Sequence, residues 1–216
     1  VMLVDEQPRP GGSLAWQWAG QERARELLEE MRRKIDTLDT LELRCGTQAA
    51  GWYADHLIAL CDDRRMTKVR ARATLVAGGC FEQPAVFGNN DLPGVMLGSA
   101  AQRLIRLFAV KPFERGVVLA SNPDAYLVAM DLLEAGVDVA AIADLRPAGE
   151  PSELSRQVHD AGIAVHRGHA VYEALATKDK RRIAGVTLCA IGPDGEADPA
   201  RAVRLDCDGI AMSVGW

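Results

Sequence analysis

The first apolar run of the chain ends in an acid. Residues 1–6 read VMLVDE, a buried parallel strand closing on Glu6. At the end of the second strand of a dinucleotide-binding fold, such a carboxylate can accept both ribose hydroxyls of an adenosine, provided a glycine turn holds the pyrophosphate. The plainer alternative is a solvated acid at a strand end. Gly11, Gly12 and Ser13 follow in a Pro/Gly loop suited to close backbone approach. A second apolar run, ATLVAGG at 73–79, ends in Ala77, Gly78 and Gly79, and Thr47 follows a short strand at 41–45 (LELRC). Glu6, Gly11, Gly12, Ser13, Thr47, Ala77, Gly78 and Gly79 form the candidate cofactor-binding set.

A second acid stands at the end of a second strand–helix–strand. Residues 116–121 (GVVLAS) are a strand, 124–135 an almost wholly apolar helix stopped by Gly136, and 137–143 (VDVAAIA) a strand ending in Asp144. Asp144 lies 23 residues after Ser121, the spacing of a ribose acid. The turn between strand and helix reads Ser121, Asn122, Pro123, Asp124, Ala125, Tyr126, so all three glycines of G-x-G-x-x-G are missing. Pro123 has no N–H to offer a phosphate, and Asp124 puts a carboxylate where an anion would sit. Tyr126 is bulky where a third glycine would let helix and strand pack closely. A scaffold unit is expected, with Asp124 in the first helical turn and Tyr126 filling space.

The elements around these residues alternate in type. Residues 21–38 carry apolar positions at helical spacing (Ala24, Leu27, Leu28, Met31, Ile35, Leu38), and 48–61 with 67–72 read as an antiparallel meander. Helices follow at 99–110 and 152–161, shorter strands near 163–166, 169–176, 183–191 and 202–206, and a last buried strand in DGIAMSVGW. The fold class is α/β, with parallel sheets in two Rossmann-like units in series. The expected division is 1–93, with 208–216 returning to it, and an inserted unit at 94–207. A first strand and glycine turn would precede Val1, so the sequence reads as a piece of a larger flavin- or nicotinamide-dependent protein.

Composition excludes several classes. The net charge is −5 with no basic face, which argues against nucleic acid, and no apolar run approaches a membrane span. Five scattered cysteines without a CxxC pair speak against a disulfide framework or a zinc site and for reduced thiols in the cytoplasm. His166 and His169 are close but lack a third metal ligand. No residue has the setting of a catalytic acid, base or nucleophile.

Residues 83–103 (QPAVFGNNDLPGVMLGSAAQR) and 116–147, with the terminal SVGW, resemble the α subunit of heterotetrameric sarcosine oxidase. Pro84, Phe87, Asn90, Asp91, Pro93, Gly94 and Met96 carry the first match; Asn122, Asp124, Tyr126, Ala135-Gly136 and Asp144 carry the second. LVAGG resembles the family's strand ending in Ala-Thr-Gly, with Gly78 in the Thr position, and SVGW its Ser-Gly-Gly-Trp, with Val214 for a glycine. The resemblance implies the glutathione- and thioredoxin-reductase-like plan, with the first unit truncated. It implies NAD in the first dinucleotide fold and FAD and FMN elsewhere in a complex with β, γ and δ subunits. It further implies oxidative demethylation of sarcosine or a related N-methyl amino acid with oxygen and tetrahydrofolate. Opine-oxidase- or cyanide-synthase-like subunits, an NADH-dependent flavoprotein reductase, and a non-catalytic assembly scaffold are the competing readings.

Overall fold

A computed structural model describes residues 1–17, 22–149 and 152–216, and the chain divides into two compact units, Val1–Gly79 and Cys80–Trp216. Gln21, the first residue of the expected 21–38 helix, lies outside the described residues.

In the first unit, β1 (Met2–Val4) pairs in parallel with β2 (Glu42–Arg44), and helix α1 (Glu22–Asp36) lies between them in sequence. Ala24 and Leu28 are the buried positions of α1. A meander follows, β3 (Gln48–Tyr53), β4 (Leu57–Cys61) and β5 (Met66–Arg70), all antiparallel, with Ala59 and Leu60 buried on its central strand. Residues 73–79 do not form the expected strand: Leu75 is 92% and Val76 71% exposed. A strand exists through its ladder, and no described strand pairs with this run.

The second unit holds a five-stranded parallel sheet whose strands are β6 (Val95–Leu97), β7 (Arg115–Ala120), β8 (Asp138–Asp144), β9 (Val165–Arg167) and, last in the chain, β13 (Gly209–Ser213). Their order is β6-β13-β7-β8-β9. Helices α2 (Gly98–Phe108), α3 (Asp124–Glu134) and α4 (Glu153–Asp160) connect successive strands. The antiparallel β10 (His169–Ala176), β11 (Ile183–Ile191) and β12 (Ala197–Leu205) form a separate meander. Strand β7 is buried on both faces, as parallel strands are. Val118 and Ala120 pack with α3, whereas Val117 and Leu119 pack with Val186 and Leu188 of β11.

Two expectations are corrected here. The last strand does not return to the first unit: Ile210–Met212 pair with Val95–Leu97, and Gly209–Ser213 with Gly116–Ala120. A run that is apolar over 209–212 is satisfied by any doubly covered slot, and the one it occupies lies between β6 and β7. The boundary also falls earlier than residue 93. Residues 85–94 are tied into the second unit, with Asn89 Nδ2 donating to Ala174 O at 2.9 Å, Gly88 N to Tyr172 O at 3.0 Å and Ile210 N to Gly94 O at 2.9 Å. The two asparagines of the NND segment are thus structural fasteners, Asn90 Nδ2 donating to Ala85 O at 3.0 Å.

Candidate nucleotide sites

In the second unit the turn after β7 has its polar groups engaged within the chain. Asp124 opens α3, in the first turn, as its charge and the helix dipole require. The Asp124 N–H donates to Asn122 Oδ1 at 3.0 Å, and Pro123 supplies none. Ser121 N donates to Ser213 O at 3.1 Å, Ser121 Oγ to Val214 O, and Asn122 Nδ2 to Ser213 O at 3.4 Å. Trp216 Nε1 donates to Asp124 Oδ2 at 3.2 Å. A pyrophosphate would meet a carboxylate and donors already in use.

The ribose acid is likewise taken. Asp144 is fully buried at the end of β8. Its carboxylate accepts from Tyr126 Oη at 2.9 Å, from Arg146 N, Nε and Nη2 at 3.0, 2.9 and 2.8 Å, and has Arg167 Nη1 at 3.9 Å. Burial alone would push its pKa up; the Arg146 and Tyr126 hydrogen bonds outweigh this and hold it below the usual carboxylate value. Tyr126 is 4% exposed, fills the space that a glycine would have closed, and is pushed up in pKa by burial and by Asp144. Arg146 also covers its ring, 5.9 Å from the centroid. The residues of this turn and strand end therefore do not fit a dinucleotide.

Arg146, Arg167 and Trp216 were not legible as partners. The one available signal is that Arg146 stands two residues beyond Asp144, where an extended chain returns a side chain to the same side.

In the first unit the arrangement is open. Glu6 is exposed just beyond β1 and, among the described residues, accepts from Gln7 Nε2 at 3.3 Å. Asp5 O accepts from Thr47 N at 3.0 Å and Gln7 O from Gly46 N at 2.9 Å, so Glu6 and Thr47 lie on adjoining strand ends. Thr47 is buried with its hydroxyl on Cys45 O at 3.1 Å, leaving its surroundings rather than its side chain for a ligand. Gly11 and Gly12 adopt positive φ, +144° and +52°, and lead with Ser13 into a short 3-10 turn, Gly12–Ala15. Arg32 Nε of α1 pins this loop through Pro10 O at 3.1 Å. Ala77, Gly78 and Gly79 are exposed and pair with no described strand. An exposed carboxylate and a loop with two positive-φ glycines thus follow β1.

His166 and His169 meet edge to face at 5.5 Å, and burial followed by the neighbouring His169 lowers the His166 pKa. Among the described residues no group of three or more His, Cys, Asp or Glu is placed to hold a metal, and no helix is long and apolar enough to cross a membrane.

Comparison with known proteins follows the same lines. The sarcosine oxidase α subunit of Rhizobium meliloti (strain 1021) is 29% identical over 96% of this chain, and that of Corynebacterium sp. (strain P-1) is 26% identical over all of it. This chain is a relative of the sarcosine oxidase α subunits. It spans 23% and 24% of their lengths. The hydrogen cyanide synthase subunit HcnB of Pseudomonas aeruginosa is 32% identical over all of the chain, which spans 51% of that protein. Among solved structures, L-proline dehydrogenase from P. horikoshii matches with a TM-score of 0.69 at 18% identity, covering all of this chain and 37% of that one. Thioredoxin reductase from T. acidophilum matches with a TM-score of 0.68 at 14% identity, covering all of this chain and 68% of that one. No protein-family model matches the chain. The fold of this sarcosine oxidase α relative is that of FAD/NAD(P)-binding oxidoreductases, and its homologues are oxidoreductase subunits.

Proposed function

We propose that the chain is the dinucleotide-binding portion of an α-type subunit in a sarcosine-oxidising flavoprotein. In this reading Glu6 takes the ribose of NAD, with the Gly11–Gly12–Ser13 loop, the backbone around Thr47 and the Ala77–Gly79 run beside it. FAD and FMN belong to the assembled cytoplasmic complex with β, γ and δ subunits, where flavin accepts the electrons of the amine. The overall reaction converts sarcosine (or a related N-methyl amino acid), oxygen and tetrahydrofolate into glycine, hydrogen peroxide and methylene-tetrahydrofolate.

The observation that carries the nucleotide assignment is the contrast between the two acids. Glu6 is exposed beside a glycine loop, whereas Asp144 is saturated by Tyr126 and Arg146. A carboxylate that accepts from ribose contributes about 1–3 kcal/mol. In the assembled protein, Glu6→Ala should weaken NAD binding by roughly fivefold to 150-fold, and Asp144→Asn should leave it unchanged. Equal NAD affinity in Glu6→Ala and the parent would reject the assignment. The 32% identity to HcnB favours a cyanide-synthase-like reaction as a second reading; release of hydrogen cyanide in place of sarcosine oxidation would select it.

A further inference from the structure

The degenerate turn of the second unit holds something other than a nucleotide. Four contacts run from residues 121–124 to residues 213–216. Ser121 N and Asn122 Nδ2 both donate to Ser213 O, Ser121 Oγ donates to Val214 O, and the Trp216 indole donates to the Asp124 carboxylate at 3.2 Å. A fifth contact holds the same stretch from the other side, with Gln83 N donating to Gly215 O at 2.8 Å. Asn122 is used twice, its Nδ2 on Ser213 O and its Oδ1 on the Asp124 N–H.

These contacts sit at the carboxyl ends of β7 and β13, which are neighbours in the sheet. Chain order along the sheet reverses between these two strands, with β7, β8 and β9 running one way and β13 and β6 lying on the other side. That reversal is the crevice where open α/β sheets receive ligands. We propose that the turn 121–124 is a clasp for the chain's own segment 213–216, and that this segment takes the hydrogen-bonding role a bound pyrophosphate has in working units. This rests on the reading of the second unit as one that binds no nucleotide, and it assigns that unit's crevice an occupant.

The residue types fit this role better than they fit a cradle. A phosphate cradle needs backbone N–H groups and no negative charge. A clasp for a peptide needs side-chain donors for carbonyls and an acceptor for an N–H. Ser121 and Asn122 provide the donors and Asp124 the acceptor. The Asp124 charge is at once compatible with the helix dipole and hostile to an anion. Clasp and pyrophosphate are mutually exclusive, because Ser121 and Asn122 cannot serve both.

The test uses the whole protein labelled with 5-fluorotryptophan, the Trp216 resonance being assigned with Trp216→Phe. Asp124→Ala should move the Trp216 resonance toward its solvent value and raise hydrogen exchange at the Gln83 amide about tenfold, the scale of one charge-assisted hydrogen bond. Asp124→Asn, which keeps an acceptor, should leave both close to the parent. Inorganic pyrophosphate or NAD at millimolar concentration should not shift the resonance in the parent. An unchanged resonance and unchanged Gln83 exchange in Asp124→Ala would overturn the clasp. So would a saturable pyrophosphate-induced shift, which would mean the turn still takes an anion. If Asp124→Ala does not fold, Trp216→Phe removes the donor without touching α3. The Gln83 amide must then exchange faster in that variant for the clasp to stand.

The reading of the second unit as nucleotide-free can fail separately. NAD bound to that unit away from residues 121–124, with the Trp216 resonance unmoved, would refute the parent reading while leaving the clasp in place; NAD bound against 121–124 with the resonance unmoved would overturn the clasp as well.

Discussion

Removing the Arg146 side chain should expose the energetics of the saturated acid. Asp144 is fully buried, and Arg146 gives it two side-chain hydrogen bonds, at 2.9 and 2.8 Å. Breaking a buried ion pair from one side costs about 3–5 kcal/mol. Here the Arg146 side chain is 28% exposed, and Tyr126 Oη at 2.9 Å and Arg167 at 3.9 Å remain. The cost of Arg146→Ala therefore falls lower, at about 2–3 kcal/mol near neutral pH.

The pH dependence follows from the same groups. In the parent, Asp144 is held below its ordinary value, so it contributes stability above the unfolded carboxylate pKa that is lost as pH falls through the folded one. In Arg146→Ala, burial becomes the dominant influence and the folded pKa rises above the ordinary value. The penalty is then complete near neutrality and shrinks as acid protonates the carboxyl. Urea unfolding of both proteins at pH 7 and about pH 4.5 measures this, through the near-ultraviolet signal of the second unit. A difference below about 0.5 kcal/mol at pH 7 would refute the account, since that is the scale of an unremarkable surface change. A difference that stays constant with pH would refute it too.

Other outcomes are expected. Limited trypsin digestion should cut first at Arg70 or Arg72, beside the exposed run 75–81, and release a folded fragment that contains residues 80–216. Cuts appearing first within 95–145 would contradict the division. Gly94→Ala should cost more than about 1 kcal/mol, because φ is +107° there and a Cβ would lie 2.7 Å from Asp208 O and against Ile183; an unchanged melting temperature would refute this. Cys207, buried and pushed up to about 11 by that burial, should resist alkylation at pH 8 under native conditions while exposed Cys80 reacts, as mass mapping would show. Equal labelling of the two thiols would contradict the burial argument.

Much of the second unit was readable because its periodicities are strong. The apolar β7, the apolar α3 ending at Gly136, and β8 ending on Asp144 all follow from local pattern. Asp124 in the first helical turn and Tyr126 as a space-filler followed from what their side chains cannot do beside a phosphate. The destination of the last strand was not readable. Residues 209–212 are apolar throughout, and nothing local distinguishes a slot beside β7 from one in another sheet. The run 73–79 failed for the converse reason. Its composition is that of a strand, but a strand needs neighbours, and sequence alone does not supply them. Saturation of Asp144 depends on Tyr126, 18 residues earlier, and on Arg146 and Arg167 at two strand ends, a convergence set by the sheet. In the first unit, type and position single out Glu6 and Thr47, and their adjoining strand ends appear only in the fold.

In the proposed reading the first unit offers Glu6 to a ribose, while the second fills its own crevice. A co-crystal structure of the complete polypeptide with NAD tests it most directly. The account predicts the adenosine ribose within hydrogen-bonding distance of Glu6, with Trp216 still on Asp124 and no phosphate against the 121–126 turn. Ordered pyrophosphate against Ser121 to Tyr126, with Glu6 free in solvent, would contradict it.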